Sequence, residues 1–163
     1  MTRLLTLAAL SLIACSTATA QGAPARGRPG LSTAPSASDT ADVNGTVRAY
    51  GASLIGAPPD PSKTAAFYTK DGEMLPPGGV PVVGPDSIRS MLSGFGKFVV
   101  EAETMTPRST TVMGRHAVVW GDYTQRAIPP GQPPINVGGR FVMELERQVT
   151  GKWLVRRLLV QPS

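Results

Sequence analysis

Histidine and cysteine, the side chains most often recruited as acid/base groups, nucleophiles and metal ligands, occur once each in 163 residues, as His116 and Cys15. One of each cannot build a Cys/His zinc site. No metal constellation, Gly-rich phosphate loop or Ser/His/Asp ordering is visible, so neither a metal nor a cofactor is expected, and no catalytic set is identified. His116 is the single acid/base candidate. In an extended run it shares a face with Val118, Trp120 and Asp122, opposite Ala117, Val119, Gly121 and Tyr123. The small Ala117 and Gly121 suit a face lying beneath helices, which leaves His116 on the outer or partner-facing side. A structural or surface histidine is the plainer reading.

Tyr50, Tyr68 and Tyr123 could ring a pocket with hydroxyls, and Met74 and Met143 are the soft apolar residues that forgiving ligand sites use. These five are the pocket candidates, although aromatic and methionine side chains are more often plain core. Glu101 and Glu103, two apart on one strand face, raise a paired-carboxylate reading; exposed strand charges are the commoner explanation. Asp71, before Gly72, fits turn chemistry better than catalysis.

The elements that must position these residues are helices followed by strands. Val43, Val47, Tyr50 and Leu54 recur at helical spacing between Ser38 and Ile55, weakened by Gly45 and Gly51. Asp60-Pro61 caps a short helix expected to run through Tyr68. Asp71-Gly72 turns into a brief strand from Glu73 to Leu75, and Gly84-Pro85-Asp86 opens a third helix with the stripe Ile88, Met91, Leu92 and Phe95. From Phe98 the period becomes two, with Phe98, Val100 and Ala102 alternating with Val99, Glu101 and Glu103. Four strands are expected at about 97–106, 111–127, 138–149 and 152–160, with the Pro-rich run 129–134 as one loop and Thr150-Gly151 as a tight hairpin. In the last of them Leu154, Leu158 and Val160 are set against Trp153, Val155 and Leu159. The pattern implies an α+β domain, three N-terminal helices covering one face of a mainly antiparallel sheet. The last strand is apolar on both faces, so a homodimer or another subunit covering the sheet face is expected, and a fully covered central strand fits the same periodicity.

Residues 1–20 carry Arg3, an uncharged run from Leu4 to Ala14 and a small-residue exit, the pattern of an export signal and too short for a membrane span. Two maturations compete: cleavage after Ala18-Thr19-Ala20, which is preferred, or lipidation of Cys15 in Leu12-Ile13-Ala14-Cys15. Export to the periplasm or exterior is expected either way, with membrane attachment only if Cys15 is lipidated. Residues 21–36 read as a disordered Gly/Pro linker and 37–163 as the folded domain. The formal charge of +5 loses its meaning on this division, because Arg3, Arg26 and Arg28 precede the domain and thirteen cations face eleven anions within it. No basic run exceeds Arg156-Arg157, which a strand would point to opposite faces, so a nucleic-acid partner is not expected.

The phrases AAFYTKDGEMLPPGGVPVVGPDSIRSML, AVVWGDYTQ and GGRFVMELERQVTGKWLVRRLLVQPS resemble SnoaL-like domains of the nuclear-transport-factor-2-like superfamily, nearest an uncharacterised, ketosteroid-isomerase-related bacterial branch. The resemblance covers roughly residues 38–162 and implies a cone-shaped fold with a pocket between sheet and helices. Set against the isomerases of that superfamily, Tyr50 matches the oxyanion-stabilising tyrosine, but the general base falls on Pro76 and the second oxyanion donor near Gly139. The expectation is therefore a domain that binds a small apolar ligand or a partner, with a small isomerase, lyase or hydrolase as the alternative.

Overall fold

The computed structural model describes residues 36–163. The expected export signal, Cys15 and the expected linker up to residue 35 lie outside the described residues. Ser36, assigned above to the linker, is instead the N-cap of α1 (Ala37–Ser53): its hydroxyl accepts from the Asp39 N–H and the Asp39 carboxylate accepts from the Ser36 N–H, a reciprocal capping box. Val43, Val47, Tyr50 and Gly51 form the buried stripe of this helix. Asp60 caps α2 (Pro61–Ala65), accepting from the Ser62 N–H at 2.9 Å. That helix stops short of Tyr68, which opens β1 (Tyr68–Leu75). β2 (Val82–Val83) is a two-residue strand that the sequence reading missed, and α3 (Pro85–Ser93) ends before Phe95.

The remaining strands are β3 (Val99–Met113), β4 (His116–Ile128), β5 (Ile135–Arg147) and β6 (Trp153–Pro162). They form one six-stranded sheet in the order β2-β1-β6-β5-β4-β3. The sheet is mixed, because β1 runs parallel to β6 while the other pairs are antiparallel. The architecture is α+β, with α1 lying against β3 and the Asn44 side-chain oxygen accepting from the Thr110 hydroxyl at 2.6 Å.

β3 continues through the stretch expected to be a break at residues 107–110. Pro107 has no N–H to give, yet β3 is an edge strand, where the missing donor costs little. The chain turns later, at Gly114, whose φ of +62° suits glycine. Asp71-Gly72 is likewise no turn: both residues lie within β1, where the pairing with β6 shifts register between Tyr68 and Glu73. The Pro-rich loop after β4 and the Thr150-Gly151 hairpin stand where expected.

Register shifts also interrupt β3 between Val100 and Ala102 and between Pro107 and Ser109, and the β5·β6 pairing between Glu144 and Leu145. An extra residue in one strand bends it and resets which side chains face inward. In β6 the result is that Trp153 and Val155 share the buried face with Leu158, correcting the strict alternation expected above. Arg156 and Arg157 consequently both reach outer-face carboxylates, Arg156 pairing with Glu146 and Arg157 with Glu144 and Glu73, instead of diverging.

The inner face is filled by Phe141, Met143, Leu145, Ala117 and Val119 beneath α1. Gly121 belongs to this layer because a Cβ there would run into the Thr106 carbonyl oxygen and stand 2.9 Å from the Phe141 ring. Gly121→Ala is expected to destabilise the domain by about 1–3 kcal/mol through overpacking. Gly45→Ala, whose Cβ meets nothing within 4 Å in mid-helix, should stabilise it by about 0.5–1 kcal/mol. Urea denaturation of both variants checks the pair of opposite signs.

Candidate functional site

A cleft of about 540 Å³ opens between the helices and the inner face of the sheet. Its apolar walls come from Leu54 at the C-cap of α1, Met74 on β1, Met91 and Leu92 on α3, and Val100 and Met105 on β3. Three of the five pocket candidates, Tyr50, Met74 and Tyr123, line it. Tyr68 and Met143 do not. Tyr68 stands behind Tyr50, the two hydroxyl oxygens 2.9 Å apart and their rings edge to face, and Met143 is sealed in the core. His116 is exposed beside the Gly114 turn, opposite Met113 and Glu146, and takes no part in the cleft wall.

The residue that sequence reasoning missed is Glu103. Strict alternation groups it with Glu101, but the bulge between Val100 and Ala102 separates them. Glu101 points outward and accepts from Arg126 Nε at 2.7 Å, whereas Glu103 joins Val100 and Met105 in the cleft wall. Its Oε2 atom is buried without a hydrogen-bond partner. Burial pushes the Glu103 carboxyl up to about 7 from 4.5, opposed only in part by the Gln125 side chain, which sits directly across on β4. A bulge is signalled in sequence only by a local break in alternation, and Val99-Val100-Glu101-Ala102-Glu103 allows either phase.

The tyrosines respond to the same environment. Burial raises Tyr50 well above the ordinary phenol range; the Tyr68 hydroxyl opposes that rise and the Glu103 charge adds to it. Tyr123 is raised by burial and then by Glu103. Both phenols are therefore neutral donors at physiological pH. When Tyr68 donates to Tyr50, the Tyr50 hydrogen is free for a group in the cleft. Pro76 also lines the cleft and has no proton to exchange, and a Cβ at Gly139 would collide with the Gln161 carbonyl oxygen, so neither isomerase position carries a carboxylate. Among the described residues no group of three His, Cys, Asp or Glu side chains is placed to hold a metal ion, and no helix is long and apolar enough to cross a membrane.

A carboxyl group with a raised pKa holds its proton in the folded state after the unfolded chain has released it. Folding is thus favoured most below the ordinary value of 4.5, and this contribution is lost as pH rises through 7. Glu103→Gln should therefore gain stability over the parent at about pH 8, by about 1–2 kcal/mol once the carboxylate's partial exposure to solvent is discounted. The gain should vanish near pH 4, and denaturation curves at the two pH values test it.

The sequence model of the SnoaL-like domain matches residues 47–155. Among solved structures, a ketosteroid isomerase-like protein from Erwinia carotovora atroseptica aligns over 76% of this chain and 95% of its own, at 18% identity and TM-score 0.68. A nuclear-transport-factor-2-like superfamily protein from Salmonella enterica serovar Typhimurium aligns over 76% of this chain and 89% of its own, at 15% identity and TM-score 0.64. A third, from Novosphingobium aromaticivorans and described as having a cystatin-like fold, covers 74% and 79% of the two chains at 17% identity and TM-score 0.59. No curated protein matches the sequence. At these identities the structural likeness speaks for the fold, a helix-bearing curved mixed sheet. The chain belongs to the SnoaL-like domain family and has the nuclear-transport-factor-2-like fold.

Proposed function

We propose that this is an exported domain that binds a small, largely apolar molecule at the mouth of a cone formed by sheet and helices. The carrying observation is the cleft itself: about 540 Å³, walled by aliphatic, methionine and proline side chains, with one carboxylate set among them. That volume and that ratio of apolar wall to polar handle are those of ligand sites. Export rests on the basic, apolar and small-residue order of residues 1–20. Native mass spectrometry of protein purified from its host is expected to find a non-covalent small molecule, and Val137→Trp, at the exposed rim of the cleft, should lose it. The same spectra should place the mature N-terminus at Gln21; an acyl group on Cys15 would overturn that cleavage.

A second reading is acid–base catalysis of the isomerase or lyase kind. It is favoured by the Glu103 carboxyl, which burial brings to about 7, and by Tyr50, a neutral donor in the same wall. Turnover that depends on Glu103, with a bell or step near pH 7 in its rate profile, is the result that would select it.

A homodimer is proposed through the outer face of the sheet. Trp120, Val142 and Leu159 are cross-strand neighbours there, 48%, 41% and 43% exposed. Ion pairs flank this row on both sides, Arg157 with Glu144 and Glu73 on one, Arg108 with Asp122 on the other. An apolar centre with a charged rim is the usual anatomy of an interface between copies. Sedimentation should give a dimer for the parent protein and a monomer for Trp120→Lys.

A further inference from the structure

We infer that the cleft takes an organic cation, a compact apolar body bearing one protonated amine that pairs with the Glu103 carboxylate, the one charged group in its wall among the described residues. The inference rests on the cleft being a ligand site and names the chemical class of what fills it. Oε2 is buried without a donor, and a carboxylate with one oxygen withdrawn from water is costly to ionise until a counter-charge comes beside it. The wall cannot supply that donor in charged form, because no Lys, Arg or His lines it among the described residues. The groups that face Glu103 are Tyr50 from α1 and Tyr123 and Gln125 from β4, all neutral when the phenols keep their protons. An anionic ligand would meet a carboxylate and no cation. A hydrocarbon would leave the carboxylate charge uncompensated. An ammonium group supplies both the charge and the hydrogen bond, and its apolar body is matched by the surrounding wall. Phe95 and Phe98, with ring centroids 6.1 Å apart, line the same cleft and offer the aromatic surface on which organic cations also pack.

The pairing sets a pH signature. The ammonium binds the ionised carboxylate, so affinity should rise with pH across the range in which Glu103 gives up its proton, by up to about tenfold per pH unit below its midpoint. A neutral ligand of the same shape has no such slope.

Three probes that share one apolar body separate the possibilities: naphthylethylamine, naphthylethanol and naphthylacetate, measured by isothermal titration calorimetry on the full folded domain. At about pH 8 the amine should bind about tenfold or more tighter than the alcohol, a charge-assisted hydrogen bond against a neutral one, and naphthylacetate weakest. The preference should fall as pH is lowered to about 6. It should disappear in Glu103→Gln and persist in Glu103→Asp, with circular dichroism showing both variants folded. Should Glu103→Gln fail to fold, the pH slope of the parent protein carries the same decision. An alcohol that matches the amine, a flat pH profile, or a Glu103→Gln variant that keeps the preference overturns the cation while leaving the cleft as a ligand site. Failure of all three probes to bind overturns the ligand-site reading and this inference together.

Discussion

A sheet that must curl around a helix cannot keep perfect strand alternation along its whole length. Each added residue bends the strand and moves the following side chains to the opposite face. In β3 this happens twice, so the inward set runs Val100, Glu103, Met105 and then, beyond Pro107, Thr110 and Val112. The first shift admits a carboxylate to the cleft, and the second returns Thr110 to meet Asn44 on α1. The corresponding irregularity in β6 aligns Trp153, Val155 and Leu158 with the core and directs two arginines outward. Core packing, cleft chemistry and the charge pattern of the outer face all follow from where these extra residues fall.

The two faces of the sheet consequently handle charge in opposite ways. Outside, carboxylates are ion-paired and wet: Glu101 with Arg126, Asp122 with Arg108, Glu144 and Glu73 with Arg157. Such pairs add little stability each and serve more to keep the edges of an apolar row soluble and in register. Inside, Glu103 has no counter-charge, and burial alone dominates its titration. A carboxylate left unpaired in an apolar wall works against folding, and its natural explanation is a ligand or a proton that completes it. Tyr50, bonded to Tyr68 at its back, is the neighbour whose orientation the protein has fixed in advance.

Much of the domain was legible from short windows. The stripe Val43, Val47, Tyr50 located α1, Asp60-Pro61 located the start of α2, and Thr150-Gly151 located the last hairpin. Tyr50, Met74 and Tyr123 line the cleft. Tyr68 and Met143, of the same residue types, are core, because residue type reports that a side chain is buried and not which side of a neighbour it lies on. Asp71-Gly72 favours a turn locally and residues 107–110 fall between two expected strands, yet pairing runs through both where a bulge or an edge absorbs the misfit.

What the sequence determined by itself is therefore what local physics determines, periodicity, caps and turn glycines, beside a family resemblance carried by whole phrases of the chain. The tertiary structure alone decided that Glu101 and Glu103 belong to different environments, one ion-paired on the outer face and the other uncompensated in the cleft wall. The reason is that a bulge is placed jointly by a strand, its hydrogen-bonded partner and the body the sheet must wrap. None of these lies within the window of residues where the inserted position sits.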